Sequence, residues 1–333
     1  MCIRDSIFIS RRDILTDVTL HYQDDCILHE RLYVTFVDEP ADDFLGVTKD
    51  MFSSVWKAIR ERFLTGENYS RFYVAPGNLC SVKEYVVFGR ILEHGFDLVG
   101  FVPIFLNQAQ LFFIMTGVVP SIDLILKGFY DCLAASEVDL IKEAIMMDNF
   151  DEEFKSKLMD LFSSYEIKGL PKPEYFLSFL QEIAMVEVIT KPYFALCHVA
   201  RKIWPADEDL FLERLRLMKP DGKKITTLLK EPDSSDPHIE RVFSFLTRFT
   251  NGLDEGDART FLKFVTGIEV LDENRLITVQ FNGVTDPERM VPTAHSCGNV
   301  LTLSKYFLAY NHFENIFKKV IDHPEFWNSF SLI

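Results

Sequence analysis

Apolar residues recur at spacings of three and four through the middle of the chain. Segments 121–133, 136–147, 151–163 and 172–188 each carry that pattern, which predicts a succession of amphipathic helices. Arg11–Tyr22 reads as another helix, with Ile14, Leu15, Val18 and Leu20 towards one side, and Tyr85–Leu92 as a strongly apolar one. Runs rich in β-branched and aromatic residues are few and short: Leu32–Phe36, Ile277–Phe281 and Val300–Leu303 read as strands. Around the last two, helices are expected over Ile239–Phe249, over Arg259–Val265 and from Ser304 to about Ile321. The pattern is that of an α+β chain, mostly helical at first and ending in a small α/β region.

Lys230–His238 breaks this periodicity. It holds Pro232 and Pro237 with no apolar residue between them, the clearest linker signal in the sequence. A chain of 333 residues can bury a large core and is expected to form two lobes, here 7–230 and 239–333 joined through 231–238. No charged residue occurs from Leu98 to Ile122, yet Pro103 and Pro120 interrupt the run, and Asn107, Gln108 and Gln110 lie at its centre. Unpaired amides are costly in hydrocarbon, so buried helices are expected here and no membrane partner.

The net charge of -15 excludes a phosphate-binding surface of clustered Lys and Arg, hence a nucleic-acid partner. Six cysteines are scattered without a CxxC pair, which argues against zinc and for a reduced, intracellular setting, cytoplasmic or nuclear. Neither a metal nor a cofactor is expected. Met1–Ser6 reads as a non-native leader, because Met1–Asp5 can be spelled by a common transposase adapter. On that reading the natural protein extends further upstream.

Cys297 stands apart from the other cysteines. Ala294, His295 and Ser296 precede it and Gly298 and Asn299 follow, so the thiol is expected in a loop leading into the strand at Val300. Only a thiolate attacks, and a nearby imidazole, hydroxyl or free backbone N–H group favours that form. The stretch Pro292–Tyr306 resembles the active-site loop of HECT-type ubiquitin ligases through Pro292, Ala294, His295, Ser296 (for threonine), Cys297, Asn299, Leu301 and Tyr306. FLKFVTG at Phe261–Gly267 resembles the motif that opens the family's C-lobe. Phe330, four places from the chain end, matches a phenylalanine that helps to place the acceptor lysine. Near the start, Phe36, Glu39, Asp43, Gly46, Lys49, Asp50 and Phe52 match the family's N-lobe opening in register, while Asp38, Ala41 and Leu45 replace its glycines. Without those glycines the turn before the helix is expected to be altered. Glu39 and Asp43 are read as turn and N-cap groups in preference to catalytic ones.

The resemblance implies a bilobal HECT-like fold and a two-step transfer. Cys297 would take ubiquitin from an E2 enzyme as a thioester and pass it to a lysine of a protein substrate. Ser296 would support the loop, Asn299 would belong with the catalytic residues, and Phe330 would dock. His295 would either polarise the thioester or hold the loop through a hydrogen bond. The strand-rich part of the family's E2-binding subdomain finds no register here, so a divergent, more helical N-lobe is expected. The competing reading is a catalytically inactive scaffold that keeps the fold and binds E2 or ubiquitin. A cysteine hydrolase is a third, disfavoured because His295 and Asn299 flank the thiol closely in sequence.

Overall fold

The computed structural model describes residues 4–37, 39, 45–66, 73–74 and 80–323. Asp43 and Phe330 lie outside them. Strand β1 (Arg4–Ile9) and helix α1 (Ile14–His21) are followed by β2 (Arg31–Phe36), α2 (Gly46–Phe63), α3 (Val82–Val99) and α4 (Gln108–Thr116). Then come α5 (Ile122–Asp131), α6 (Ala135–Met146), α7 (Glu152–Ser163), α8 (Phe176–Met185), α9 (Tyr193–Val199), α10 (Glu208–Met218) and α11 (Gly222–Leu228). The chain continues through β3 (Leu229–Lys230), α12 (Pro237–Asn251), α13 (Glu255–Thr266), β4 (Ile277–Asn282), β5 (Thr293–His295), β6 (Val300–Ser304) and α14 (Tyr310–Asp322). The described chain is mostly helical with a small share of sheet, an α+β protein.

Contacts divide it into two compact units. One collects the chain up to Lys57, His94–Val102 and everything from Glu213; the other holds Ala58–Glu93 and Pro103–Leu212. The segment 231–238, expected as a hinge, lies inside the first unit.

In the first unit, β1 and β2 pair in parallel from Arg4↔Arg31 to Ile9↔Phe36. Strand β1 therefore begins within the residues set aside as a leader. Ile7 and Ile9 are buried while Phe8 between them is exposed, the alternation of a strand with one face covered. On α1 the buried positions are Ile14 and Val18, continued by Tyr22, whereas Leu20 is exposed. A spacing of four keeps the first three on one helical face, and Leu20, two residues from Val18, points away.

The second sheet has the order β3-β4-β6-β5, with β5 antiparallel to β6 and the other pairs parallel. Strand β3 and helix α11 precede the expected hinge, yet Leu229 pairs with Ile277 and Thr226 bonds Thr250 across their hydroxyls at 2.8 Å. Residues 222–230 thus pack with the C-terminal segment. Phe249, Phe307, Phe313 and Phe317 form a chain of buried rings, with neighbouring centroids 4.8–5.1 Å apart. Burying a Phe removes most of its apolar area from water, worth roughly 1.5–3 kcal/mol each, so this cluster is the main support of the sheet. Asp236 accepts from the His238 amide and Pro237 sits at the first position of α12, which explains why that helix starts here. The helix expected from Ser304 begins only at Tyr310. Ser304 instead ends β6, its hydroxyl donating to the Val284 carbonyl at 2.6 Å and accepting from the Tyr306 amide at 3.1 Å.

In the second unit every residue of α4 from Ala109 to Thr116 is buried. The amides in this uncharged run are satisfied by backbone. Asn107 caps α4 and donates to the Gly128 carbonyl at 2.7 Å. Gln110 accepts from the Val74 amide at 2.7 Å and donates to the carbonyls of Val74 and Val188 at 3.2 and 2.9 Å. Among the described residues no helix is long and apolar enough to cross a membrane. Trp204 and Phe211 pack edge to face in this core at 5.7 Å between centroids.

Candidate functional site

The loop expected around Cys297 is a four-residue hairpin turn. Strands β5 and β6 pair from Thr293↔Thr302 to His295↔Val300, and Ser296–Asn299 connect them. The Gly298 amide donates to the His295 carbonyl at 3.2 Å, closing the turn. Asn299 takes the left-handed conformation with φ of 51°, which asparagine tolerates better than most residues. Its carbonyl accepts from the Thr278 amide at 2.9 Å and so ties the turn to β4. Cys297 lies at the tip with its thiol exposed, and His295 is exposed beside it. No hydrogen bond joins the His295 ring to another of the described residues.

Helix α2 forms the floor beneath this turn. Lys49 is 3% exposed, although lysine is rarely buried without partners. Its ammonium donates to the Ser296 carbonyl at 2.9 Å and to Asn299 Oδ1 at 3.2 Å. Sequence reasoning used Lys49 only as a match in register and missed this role, since 250 positions separate Lys49 from Asn299. Ser296, expected to support the loop, receives Lys49 on its backbone carbonyl, while Asn299 does so through its side chain. Burial is the main cause that lowers the Lys49 pKa, and the positive charge of Arg275 adds to it. Cys297 and Asp272 act in the opposite sense, and the result is a value pushed down to about 8.

Two glycines allow the close approach. A Cβ at Gly46, the first residue of α2, would lie 2.7 Å from Ser296 Oγ and 3.2 Å from the Cys297 nitrogen. Gly267 ends α13 with φ of 82°, and a Cβ there would meet the Cβ atoms of Lys49 and Ser296 at 3.1 and 3.3 Å. Ser53 of α2 donates to the Gly267 carbonyl at 3.0 Å. Three stretches far apart in sequence, around Lys49, Gly267 and Cys297, thus meet in one place.

On another side of α2, Asp50 and Glu39 share Arg11. The guanidinium bonds Glu39 Oε1 at 2.5 Å and Oε2 at 2.9 Å, and Asp50 Oδ2 at 2.5 Å, while stacking on Phe36 at 3.8 Å. Burial by itself lowers the Arg11 pKa, but bonds and charge from the two carboxylates outweigh it and the net shift is upward. Glu39, read from sequence as a turn or cap residue, is here an ion-pair partner. Most of the turn expected to change for lack of glycine lies outside the described residues; Leu45, directly before α2, holds φ of 78°. Among the described residues the grouping able to offer three metal ligands is Asp24, Asp25 and Cys26, all exposed. The Asp24 carboxylate there already accepts from the Cys26 amide at 3.0 Å.

In comparison with known proteins, the chain matches no family model and no curated protein.

Proposed function

We propose that the chain is the catalytic region of a HECT-type ubiquitin ligase, with Cys297 as the nucleophile. One observation carries this reading: an exposed thiol stands at the tip of a hydrogen-bonded turn, where the three stretches that resemble the family converge. The Cys297 thiolate attacks the carbonyl carbon of the ubiquitin thioester on an E2 enzyme. A new S–C bond forms there and the E2 thiolate leaves. A substrate lysine amine then attacks the second thioester, giving an amide and returning the Cys297 thiol. Thioester exchange changes little in bond energy, so the protein contributes mainly approach and alignment. His295, exposed beside the thiol, polarises the incoming thioester, and Phe330 docks the acceptor.

Incubation with E2 charged with ubiquitin is expected to give an adduct that thiols release and that Cys297→Ala abolishes. An adduct of unchanged yield in Cys297→Ala removes this site. Absence of any adduct in the wild-type chain favours a scaffold that binds E2 or ubiquitin without transfer.

A further inference from the structure

We propose that Lys49 is the positioning residue of the Cys297 turn, clasping it onto α2 through the Ser296 carbonyl and the Asn299 side chain. The clasp's catalytic consequence rests on the nucleophile assigned above; the clasp itself does not.

The geometry is specific. A lysine stem reaches the turn because the helix is close, and at Gly46 and Gly267 a Cβ would crowd the turn, at 2.7 Å from Ser296 Oγ and 3.3 Å from Ser296 Cβ. The ammonium bonds on both sides of the cysteine, to residue 296 before it and residue 299 after it. Both ends of the Ser296–Asn299 turn are therefore fixed while the thiol between them stays in solvent. A buried ammonium that donates two bonds to uncharged acceptors has no carboxylate partner to offset its desolvation. Facing it are Arg275 and Asp272, paired with each other at 2.8 Å, and the Cys297 thiol. The carboxylate of its neighbour Asp50 is turned to Arg11. While Lys49 stays protonated, its charge strengthens both bonds to the turn. Loss of its proton near pH 8 removes the charge from both bonds and loosens the turn.

Hydrogen exchange of the full chain, resolved to single amides, tests this. The Gly298 and Thr278 amides report on the turn through their bonds to the carbonyls of His295 and Asn299. Lys49→Met keeps the stem and removes the donors; protection of both amides is expected to fall about tenfold or more. Asn299→Gly keeps the left-handed backbone and removes one acceptor, with a smaller loss expected at Gly298. In a Cys297→Ser background, which removes the thiol itself, protection corrected for intrinsic exchange is expected to decline as pH rises through about 8. The decline should vanish when Lys49→Met is added. Unchanged protection in Asn299→Gly, or a decline near pH 8 that survives Lys49→Met, overturns the clasp. The Asn299→Gly result decides even if Lys49→Met unfolds. Single-turnover loading from charged E2 should lose about tenfold in its saturating rate constant with the half-saturating E2 concentration held in Lys49→Met, and an unchanged rate constant overturns the catalytic consequence. If wild type never loads, the ligase reading fails while the exchange results stand on their own.

Discussion

The two units use buried polar groups in opposite ways. In the helical unit, Asn107 and Gln110 are enclosed and aim their amides at backbone groups of segments distant in sequence, Gly128, Val74 and Val188. They stitch apolar helices into one register and expose nothing. In the unit with the four-stranded sheet, Lys49 and Asn299 are also buried, but what they hold is an exposed turn with a thiol at its tip. The first arrangement spends its hydrogen bonds on packing, the second on presenting a reactive group.

The largest effect that sharpens this contrast is expected from Gln110→Ala. It would leave the Val74 and Val188 groups without partners in the core, costing roughly 2–4 kcal/mol. Denaturant unfolding checks the loss, and protection of the Gly298 amide should stay as in wild type. A Gly298 amide that loosens in step would mean the units are not energetically distinct.

A middle-sized effect concerns His94 in the sheet-bearing unit. Its Nε2 lies 3.1 Å from the Glu30 carbonyl, an acceptor only, so Nε2 carries the proton and Nδ1 accepts from the Tyr22 hydroxyl at 2.9 Å. Burial lowers its pKa, and the bond to Glu30 offsets this only in part. Below the unfolded value near 6.5 the unfolded chain binds a proton that the folded one refuses, so stability falls as pH drops from there towards the lowered folded value. The slope from this one group is at most about 1.4 kcal/mol per pH unit. In His94→Asn the fall between pH 6.5 and 5 should be shallower than in wild type; equal slopes would assign the acid sensitivity elsewhere.

The smallest is Leu45→Gly. A leucine held at φ of 78° is strained by roughly 1–2 kcal/mol, part of which glycine loses again through unfolded-state entropy. A net gain of about 0.5–1 kcal/mol is expected in thermal unfolding, and a loss would mean that the Leu45 side chain has a packing role outweighing its strain.

Most helices could be read from spacing alone, since a stripe of buried residues at three and four, as in α12 and α13, leaves its signature wherever one face is covered. The exposed thiol was equally legible, because Cys297 lies among small polar residues with no periodicity. Three features needed the fold. Strand β1 depends on a partner 27 residues away and carries only a short alternation of its own. The end of β6 at Ser304 is set by a hydroxyl bond to Val284, where the sequence pattern runs smoothly into a helix. Lys49 reads as an ordinary charged residue near a helix start until β5 and β6 are brought against α2. The sequence determined which segments are amphipathic and that the Cys297 thiol is free of a core, because both are local properties of side-chain order. Tertiary structure decided what that thiol rests on, because a buried lysine bonded to the turn across 250 positions depends on close approach between elements that no local pattern encodes.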